Sequence, residues 1–262
     1  MTKALSPNSG SRPTKARIRQ SFERAAASYD SAAQVQRQIC QRLAGNLSQI
    51  TPSRLLDAGS GTGYALPLLQ TRFPAAQVIA LDLSPAMLQQ IGTPCCRLSG
   101  DLEDLPLAAA SIDLYWSSLA VQWCDLAKAL REARRVLGED GHLALASLGP
   151  ATFHELRHAF AGVDNFRHTL PFHSPREISH LAETAGFSRV KVESATKIAH
   201  YADFKTLLRA VKAVGANQLG DGRRPGLMSR TAFQRAAAAY ETLRVSAGLP
   251  LTYDVIYLAA QP

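Results

Sequence analysis

The sequence predicts an α/β fold, a mostly parallel sheet with helices on both faces, on two observations. Between residues 53 and 147, strand-like and helix-like runs alternate, as parallel strands joined by crossover helices do. Within that stretch, Leu55-Leu56-Asp57-Ala58-Gly59-Ser60-Gly61-Thr62-Gly63 ends a strand-like run and opens a helix-like one. Glycines at alternate positions let the chain turn tightly and come close to a ligand. The helix N-terminus that follows offers free amide groups at the same point. A pocket for a nucleotide-like ligand is therefore expected at the carboxyl end of the first parallel strand.

The elements follow in order. Residues 14–28 form an amphipathic helix, with Ile18, Phe22, Ala25 and Ala26 at helical spacing, and a second helix covers 31–48. Strands are expected at 53–57, 77–82, 95–99, 111–116 and 141–147, and helices at 62–73, 84–91 and 124–137. Pro85 suits the first turn of a helix behind Ser84. Gly138 and Gly141 are read as the helix stop and the turn into the next strand. After Pro150 the rhythm changes to a helix and loop over 150–174, a helix at 175–185 and a strand at 188–194. Residues 203–249 read as helical with a glycine-rich interruption at 220–226, and 252–259 as a last strand. The length of 262 residues suits one domain over 14–262 behind a disordered tail at 1–13.

Composition narrows the class. Hydrophobic residues make up 46% of the chain, enough for a substantial core. No apolar run is long enough to span a membrane, and the N-terminal residues lack the apolar centre of a signal peptide. Cys40, Cys95, Cys96 and Cys124 contain no Cys-x-x-Cys spacing, a reducing, cytoplasmic profile without a metal framework. His154 and His158 stand four residues apart. With no third ligand placed by sequence, they are read as a surface or substrate-facing pair rather than a zinc site. The net charge of +8 is uneven. Lys3, Arg12, Lys15, Arg17 and Arg19 lie in the first 20 residues with no acid, and 205–244 holds eight basic residues against Asp221 and Glu241. Basic flanks of this kind steer an acidic partner or simply keep a protein soluble.

The acids sharpen the ligand. The dinucleotide fingerprint has its third glycine three residues after the second. Here that position is Tyr64, and the third glycine comes one residue early, at Gly63, with Asp57 ahead of the loop. Asp82 ends the second strand 23 residues beyond Gly59, near the offset of about 20 at which an acid meets a ribose hydroxyl. Asp101 follows the third strand in Gly100-Asp101-Leu102-Glu103-Asp104-Leu105-Pro106. Any one of these carboxylates alone reads as a solvated loop group. Three in register after three successive strands do not.

Asp-x-Gly-x-Gly-x-Gly with these acids resembles the class I S-adenosylmethionine (SAM) methyltransferases over roughly 50–195. A narrower resemblance spans most of the chain. Phe22 to Asp30, Trp116 to Cys124, Thr152 to Leu156, Lys212 to Asn217 and Leu249 to Asp254 are similar to the malonyl-[acyl-carrier protein] O-methyltransferases of biotin synthesis. The chain departs in carrying Gly-Ser-Gly-Thr where relatives often have Gly-Cys-Gly, which leaves backbone contacts intact.

The resemblance implies a Rossmann-like, mostly parallel seven-stranded sheet ending in an antiparallel strand pair. N-terminal helices at 14–50 and a helical insertion before the last strand complete it. SAM is the implied co-substrate, without a metal, and the implied reaction is methyl transfer to the free carboxylate of a malonyl thioester. Asp57 opens the cofactor motif, and Gly59 and Gly61 hold the methionyl and ribose portions. Asp82 takes the ribose hydroxyls, Leu83 and Met87 flank the adenine, and Asp101 and Leu102 read its edge. Ser117 contacts the methionine moiety. Tyr29 covers the site and orients cofactor or carboxylate, or else packs as an amphipathic aromatic. Segments 150–174 and 203–249 would bind acceptor and partner. Arg157 is the first choice of cation for the malonyl carboxylate, because a guanidinium grips a carboxylate through two hydrogen bonds; His154, His158, Arg167 and His168 are its rivals. Trp116 and Trp123 wall the acceptor pocket or pack in the core. An acidic acyl-carrier protein would dock on Arg209, Lys212, Arg223, Arg224 and Arg230.

Two other readings compete. One is a methyltransferase of another small carboxylate or of RNA. Against RNA, the slot after the fourth strand is Ser117-Ser118-Leu119-Ala120 rather than an Asn-Pro-Pro-Tyr type motif, and no aromatics interleave the basic runs. Neither nucleic acid nor membrane is expected as a partner. The other is a non-catalytic SAM-binding module.

Overall fold

The computed structural model describes residues 12–47, 50–214, 224, 226 and 228–262. Within them, strands β1 (Arg54–Ala58), β2 (Gln77–Asp82), β3 (Cys96–Ser99), β4 (Ile112–Ser118), β5 (Leu137–Leu148), β6 (Ser188–Tyr201) and β7 (Leu249–Gln261) form one sheet. The order is β3-β2-β1-β4-β5-β7-β6. The first five strands are mutually parallel, while β7 runs antiparallel to both β5 and β6. This is the expected sheet with its terminal antiparallel pair.

Strand alternation sends successive side chains to opposite faces, and the core divides accordingly. Leu55, Leu114, Trp116, Ala144, Ala146 and Val255 face one layer, which is built from α3 (Gln34–Gly45), α4 (Ala65–Arg72), α7 (His154–Phe160), α9 (Phe204–Ala213) and α10 (Arg230–Glu241). Leu56, Ala58, Tyr115, Leu143, Leu145 and Ile256 face the other, covered by α6 (Leu126–Val136) and α8 (Pro175–Thr184). On α6, Leu126, Ala129, Leu130, Ala133 and Val136 form one buried stripe, and the Asp125 side chain caps the helix by accepting from Lys128 N–H. Ser174 and Glu177 make a reciprocal capping box that starts α8 at Pro175.

Four elements differ from expectation. At the C-terminal end, the last helix stops at Glu241 rather than 249, and β7 opens at Leu249 rather than 252. The second N-terminal helix is two pieces, α2 (Tyr29–Ala32) and α3, broken at Ala33, and α2 carries Tyr29 over the carboxyl edge of the sheet. Gly138 and Gly141 do not stop α6: β5 begins at Leu137 directly after it, and the irregularity they allow is a register shift against β4 between Ile112 and Leu114. Strand β6 extends to Tyr201, seven residues past its expected end, and pairs along its length with β7. No β6 side chain is fully buried, and past Ser194 its half-buried positions are Ala195, Lys197, Ala199 and Tyr201, so that half lacks the apolar alternation by which sequence marks a strand. The glycine-rich stretch at 220–226 lies largely outside the described residues. Among the described residues, no helix is long and apolar enough to cross a membrane.

Candidate active site

The glycine loop leaves β1 and is tied to β2: Gly59 and Ser60 N–H groups both donate to Leu81 O, at 2.7 and 2.9 Å. Gly59 has φ +79°, and a Cβ there would stand 2.2 Å from Ala120 Cβ, so only glycine fits against the segment after β4. Gly61, at φ +54°, differs: a Cβ there would meet nothing within 4 Å. It faces open cleft. The Asp82 carboxylate holds the loop through Gly61 N–H at 2.9 Å and its own turn through Ser84 N–H at 2.8 Å. Burial raises its pKa, and these backbone donors pull against that rise.

Three lobes of one cleft meet at Tyr29. The first is lined by Gly59, Gly61, Asp82, Leu83, Met87, Asp101 and Leu102, which are seven of the nine residues expected to bind cofactor. It is roofed by α1 (Lys15–Ala25) through Lys15, Ile18 and Phe22. Lys15 Nζ lies 2.6 Å from Asp101 Oδ1 and 2.5 Å from Glu103 Oε1, and the Glu103 N–H donates to the same Asp101 oxygen. Burial alone would lower the Lys15 pKa, but the two carboxylates outweigh it and the net shift is upward. In the sequence Lys15 reads only as one charge of a basic tail. No local pattern joins it to an acid 86 residues away.

The second lobe holds Asp57, Ser60, Asp30, Arg37, Cys40 and Ser118. Asp57 is 2% exposed, and its Oδ2 has no hydrogen-bond partner among the described residues. Burial, then the negative charge of Asp82, push its carboxyl up to about 7. Burial, then Asp57, push the Cys40 thiol up to about 12. Thr62 Oγ1 donates to Asp30 at 2.8 Å, fastening α2 to the loop. Arg37 lies over the Tyr64 ring, 5.1 Å from its centroid. Asp30 ends the Phe22 to Asp30 segment, but nothing in the sequence assigns a site role to it or to Arg37.

The third lobe is mainly apolar, walled by Phe22, Leu119, Trp123, Leu148, Phe153 and Phe172, with Gln36, Gln122, Thr169 and Tyr253 as its polar points. Phe22 packs edge-on against Trp123 at 5.6 Å and tilts toward Tyr29 at 6.4 Å. Burial, then Asp82 and Asp30, raise the Tyr29 phenol well above its ordinary range, so it stays protonated.

Several expected residues stand elsewhere. Ser117 is fully buried, and its hydroxyl donates to Ala58 O at 2.8 Å. Alternation along β4 turns Ser118 into the cleft instead. The two tryptophans part company: Trp116 is core, whereas Trp123 lines two lobes. Arg157 does not line the third lobe. Its guanidinium donates to Thr152 O at 2.7 Å, Pro150 O at 2.8 Å and Thr169 Oγ1 at 3.3 Å, so it reaches that lobe only through Thr169, and burial lowers its pKa. His168 stacks on Phe160 and pairs with Asp164 at 2.8 Å. Arg224 is held by Asp164 at 2.8 Å and lies over Phe166. Arg209, Lys212 and Arg230 are exposed, and Arg223 lies outside the described residues.

Comparison with known proteins agrees with this geometry. Residues 56–145 match the methyltransferase domain family. The chain is 69% identical, over the whole of both chains, to a malonyl-[acyl-carrier protein] O-methyltransferase of Dechloromonas aromatica. It is 38% identical over 93% of its length to the biotin biosynthesis bifunctional protein BioHC of Cellvibrio japonicus, covering 49% of that longer protein. A SAM-dependent methyltransferase structure from Thermotoga maritima shares the fold, with a TM-score of 0.57 at 20% identity over 93% of this chain and 99% of that one. Sheet, glycine loop and full-length similarity converge: the chain belongs to the malonyl-[acyl-carrier protein] O-methyltransferase family of SAM-dependent methyltransferases.

Proposed function

We propose that this enzyme transfers a methyl group from SAM to the free carboxylate of a malonyl-[acyl-carrier protein] thioester. The products are the malonyl methyl ester and S-adenosylhomocysteine, in an early step of biotin synthesis. The observation that carries this reading is the shared wall of the lobes. Phe22, Tyr29, Leu119 and Trp123 line both the first lobe and the apolar third one, so a donor in one and an acceptor in the other meet there. The names of the full-length relatives support the choice of acceptor.

The residues fit SAM. Gly61 faces open space, Asp57 keeps an unpaired buried oxygen suited to an ammonium group, and Asp82 and Asp101 offer carboxylates along one lobe. When bound, SAM supplies an electrophilic methyl on a sulfonium. The roles proposed for the chain are these. Gly59 and Gly61 hold the methionyl and ribose portions. Asp82 takes the ribose hydroxyls. Leu83 and Met87 flank the adenine, and Asp101 and Leu102 read its edge. Ser118 takes the place foreseen for Ser117, and Tyr29, as a neutral donor, orients the acceptor carboxylate.

A carboxylate is already a nucleophile at neutral pH, so the chain needs no strong general base. It must hold that oxygen in line with the methyl, at roughly 3 Å, and keep water out. The aromatic walls serve the second need. Charge also disappears as the ester forms, which an apolar lobe favours over the charged reactants.

Arg157 is proposed to act on the acceptor through one wall of the third lobe, Thr169, while its other donors tie down the Pro150 and Thr152 carbonyls just ahead of Phe153. Arg157→Ala should raise the KM for the malonyl thioester several-fold and leave SAM affinity unchanged. Arg157→Lys should not rescue it, since an ammonium cannot span the Pro150 and Thr152 carbonyls in fork geometry. Steady-state kinetics of both variants check this, and wild-type constants would remove Arg157 from the site. For the carrier protein, Arg209, Lys212 and Arg230 are the exposed basic residues to which docking is assigned. Arg224 already has partners in Asp164 and Phe166.

The test is to incubate the enzyme with methyl-labelled SAM and malonyl-acyl-carrier protein, malonyl-coenzyme A or RNA. A base-labile methyl ester on the malonyl thioester is expected, faster on the carrier protein than on coenzyme A. Label in RNA, or no transfer to either thioester despite SAM binding, refutes the proposal.

A further inference from the structure

Two walls of the acceptor lobe are bulky residues in backbone conformations that glycine favours. Leu119 has φ +58° and Phe153 φ +57°. Among the described residues the other positive-φ residues that are not glycine are Ala110 and Arg189, and neither lines this lobe. Left-handed backbone brings Cβ against the following carbonyl, so large side chains avoid it. Such residues persist only where their surroundings over-determine them, and they cluster at sites of function.

The surroundings here are hydrogen bonds to the main-chain groups of both residues, made with other backbone groups and with the Gln122 side chain. Leu119 N–H donates to Ala146 O on β5 at 2.9 Å, and Leu119 O accepts from Gln122 Nε2 at 2.7 Å. Phe153 N–H donates to Thr252 O on β7 at 2.8 Å, and Phe153 O accepts from Leu156 N–H at 3.1 Å. A glycine would make the same four bonds without strain. What leucine and phenylalanine add is volume. Leu119 stands on the wall shared with the first lobe. Phe153 is 4% exposed and packs edge-on against Tyr253, with ring centroids 5.0 Å apart at 79°.

We propose that Leu119 and Phe153 are specificity-determining residues that set the length of the acyl group, admitting a three-carbon diacid thioester and rejecting diacids one or two methylenes longer. This rests on the methyl-transfer reading above. With the thioester anchored through its carrier arm and the methyl fixed by the cofactor, an added methylene must find room between these two walls. Their positions are pinned by backbone, so they yield less than side chains held by packing alone. One methylene in such a pocket is worth roughly 10–200-fold in specificity.

The test compares Leu119→Gly and Phe153→Gly with wild type on malonyl-, succinyl- and glutaryl-acyl-carrier protein, reading kcat/KM for each thioester. Leu119→Ala and Phe153→Leu keep apolar burial and replace any glycine variant that does not fold. Wild type is expected to favour malonyl over succinyl at least tenfold, and each variant to narrow that ratio by roughly tenfold; for the Phe153 variants, whose side chain lines the third lobe and not the first, the Kd for S-adenosylhomocysteine stays within about twofold. A merely structural role would slow both thioesters alike and leave the ratio unmoved. An unmoved ratio in folded variants, or a wild type that takes succinyl as readily as malonyl, overturns the inference and spares the methyl-transfer reading. A wild type that esterifies none of the thioesters overturns both.

Discussion

Asp82→Ala weakens SAM binding by at least a hundredfold and lowers the melting temperature of the ligand-free protein. Both carboxylate oxygens are already in use: Oδ2 accepts from Gly61 N–H and Oδ1 from Ser84 N–H. Removing the side chain therefore deletes the proposed ribose acceptor and, in the same step, frees the loop that forms the rest of the pocket. Hydrogen bonds to a charged acceptor contribute about 1.5–3 kcal/mol each. Losing two from the bound ligand amounts to roughly 3–6 kcal/mol, or two to four powers of ten in Kd. Asp82→Asn keeps one oxygen acceptor and should fall between wild type and alanine. Titration calorimetry with S-adenosylhomocysteine, paired with thermal melts, checks the order. An alanine variant binding within tenfold of wild type would remove Asp82 from the proposed ribose contact.

Asp57→Asn makes the ligand-free protein more stable at pH 8 and nearly neutral in effect at pH 4. Burial and the charge of Asp82 raise the Asp57 pKa from its ordinary 3.8 to about 7. Between those values the unfolded carboxyl has lost its proton while the folded one keeps it. The folded state then binds more protons, so stability falls as pH rises through this window and levels off above about 7. At about 1.4 kcal/mol per pH unit the full loss is of order 4 kcal/mol, reduced in the variant by whatever the new amide hydrogens leave unpaired. If Oδ2 receives the ammonium of SAM, the order reverses with ligand: at pH 8, S-adenosylhomocysteine should raise the melting temperature of wild type more than that of the variant. Melting curves from pH 4 to 9, with and without ligand, measure both effects. Parallel pH profiles for the two ligand-free proteins would contradict the account.

The first lobe is legible in the sequence because the glycines and acids that line it sit at or just after strand ends. Asp57 lies near the end of β1, Asp82 ends β2 and Asp101 comes two residues after the edge strand β3, and the turns that hold them carry glycine and proline at fixed offsets. The strand bounds at 77–82 agree with those of β2. The serine that lines the cleft is Ser118 and not Ser117, because strand alternation reverses the face at every step, and nothing in Ser117-Ser118 tells the two apart. The acceptor lobe was far less readable. Tyr29, Gln36, Trp123, Phe153, Thr169, Val214 and Tyr253 come from six separated stretches of chain, joined by packing rather than by spacing. Arg157 was selected for the chemistry of its head group, but the carbonyls that occupy it belong to a loop whose path no side-chain pattern reveals. Lys15 reads as no more than a flanking charge for the converse reason: its partners Asp101 and Glu103 are plain in the sequence, and their proximity to α1 is not.

The position of β7 has a consequence for how the chain comes to be folded as it leaves the ribosome. Of the seven strands it is translated last, yet it lies between β5 and β6, and β6 joins the sheet only through it. Until Leu249 to Gln261 emerge, β6 has no strand to pair with and β5 presents a bare edge, the kind of surface on which nascent chains associate wrongly. The acceptor lobe waits on the same event, because Tyr253 lines it and Thr252 O anchors Phe153. The cofactor lobe, assembled from residues up to 124, needs none of this strand. Translation thus delivers the lobe proposed for the methyl donor well before the lobe proposed for its acceptor.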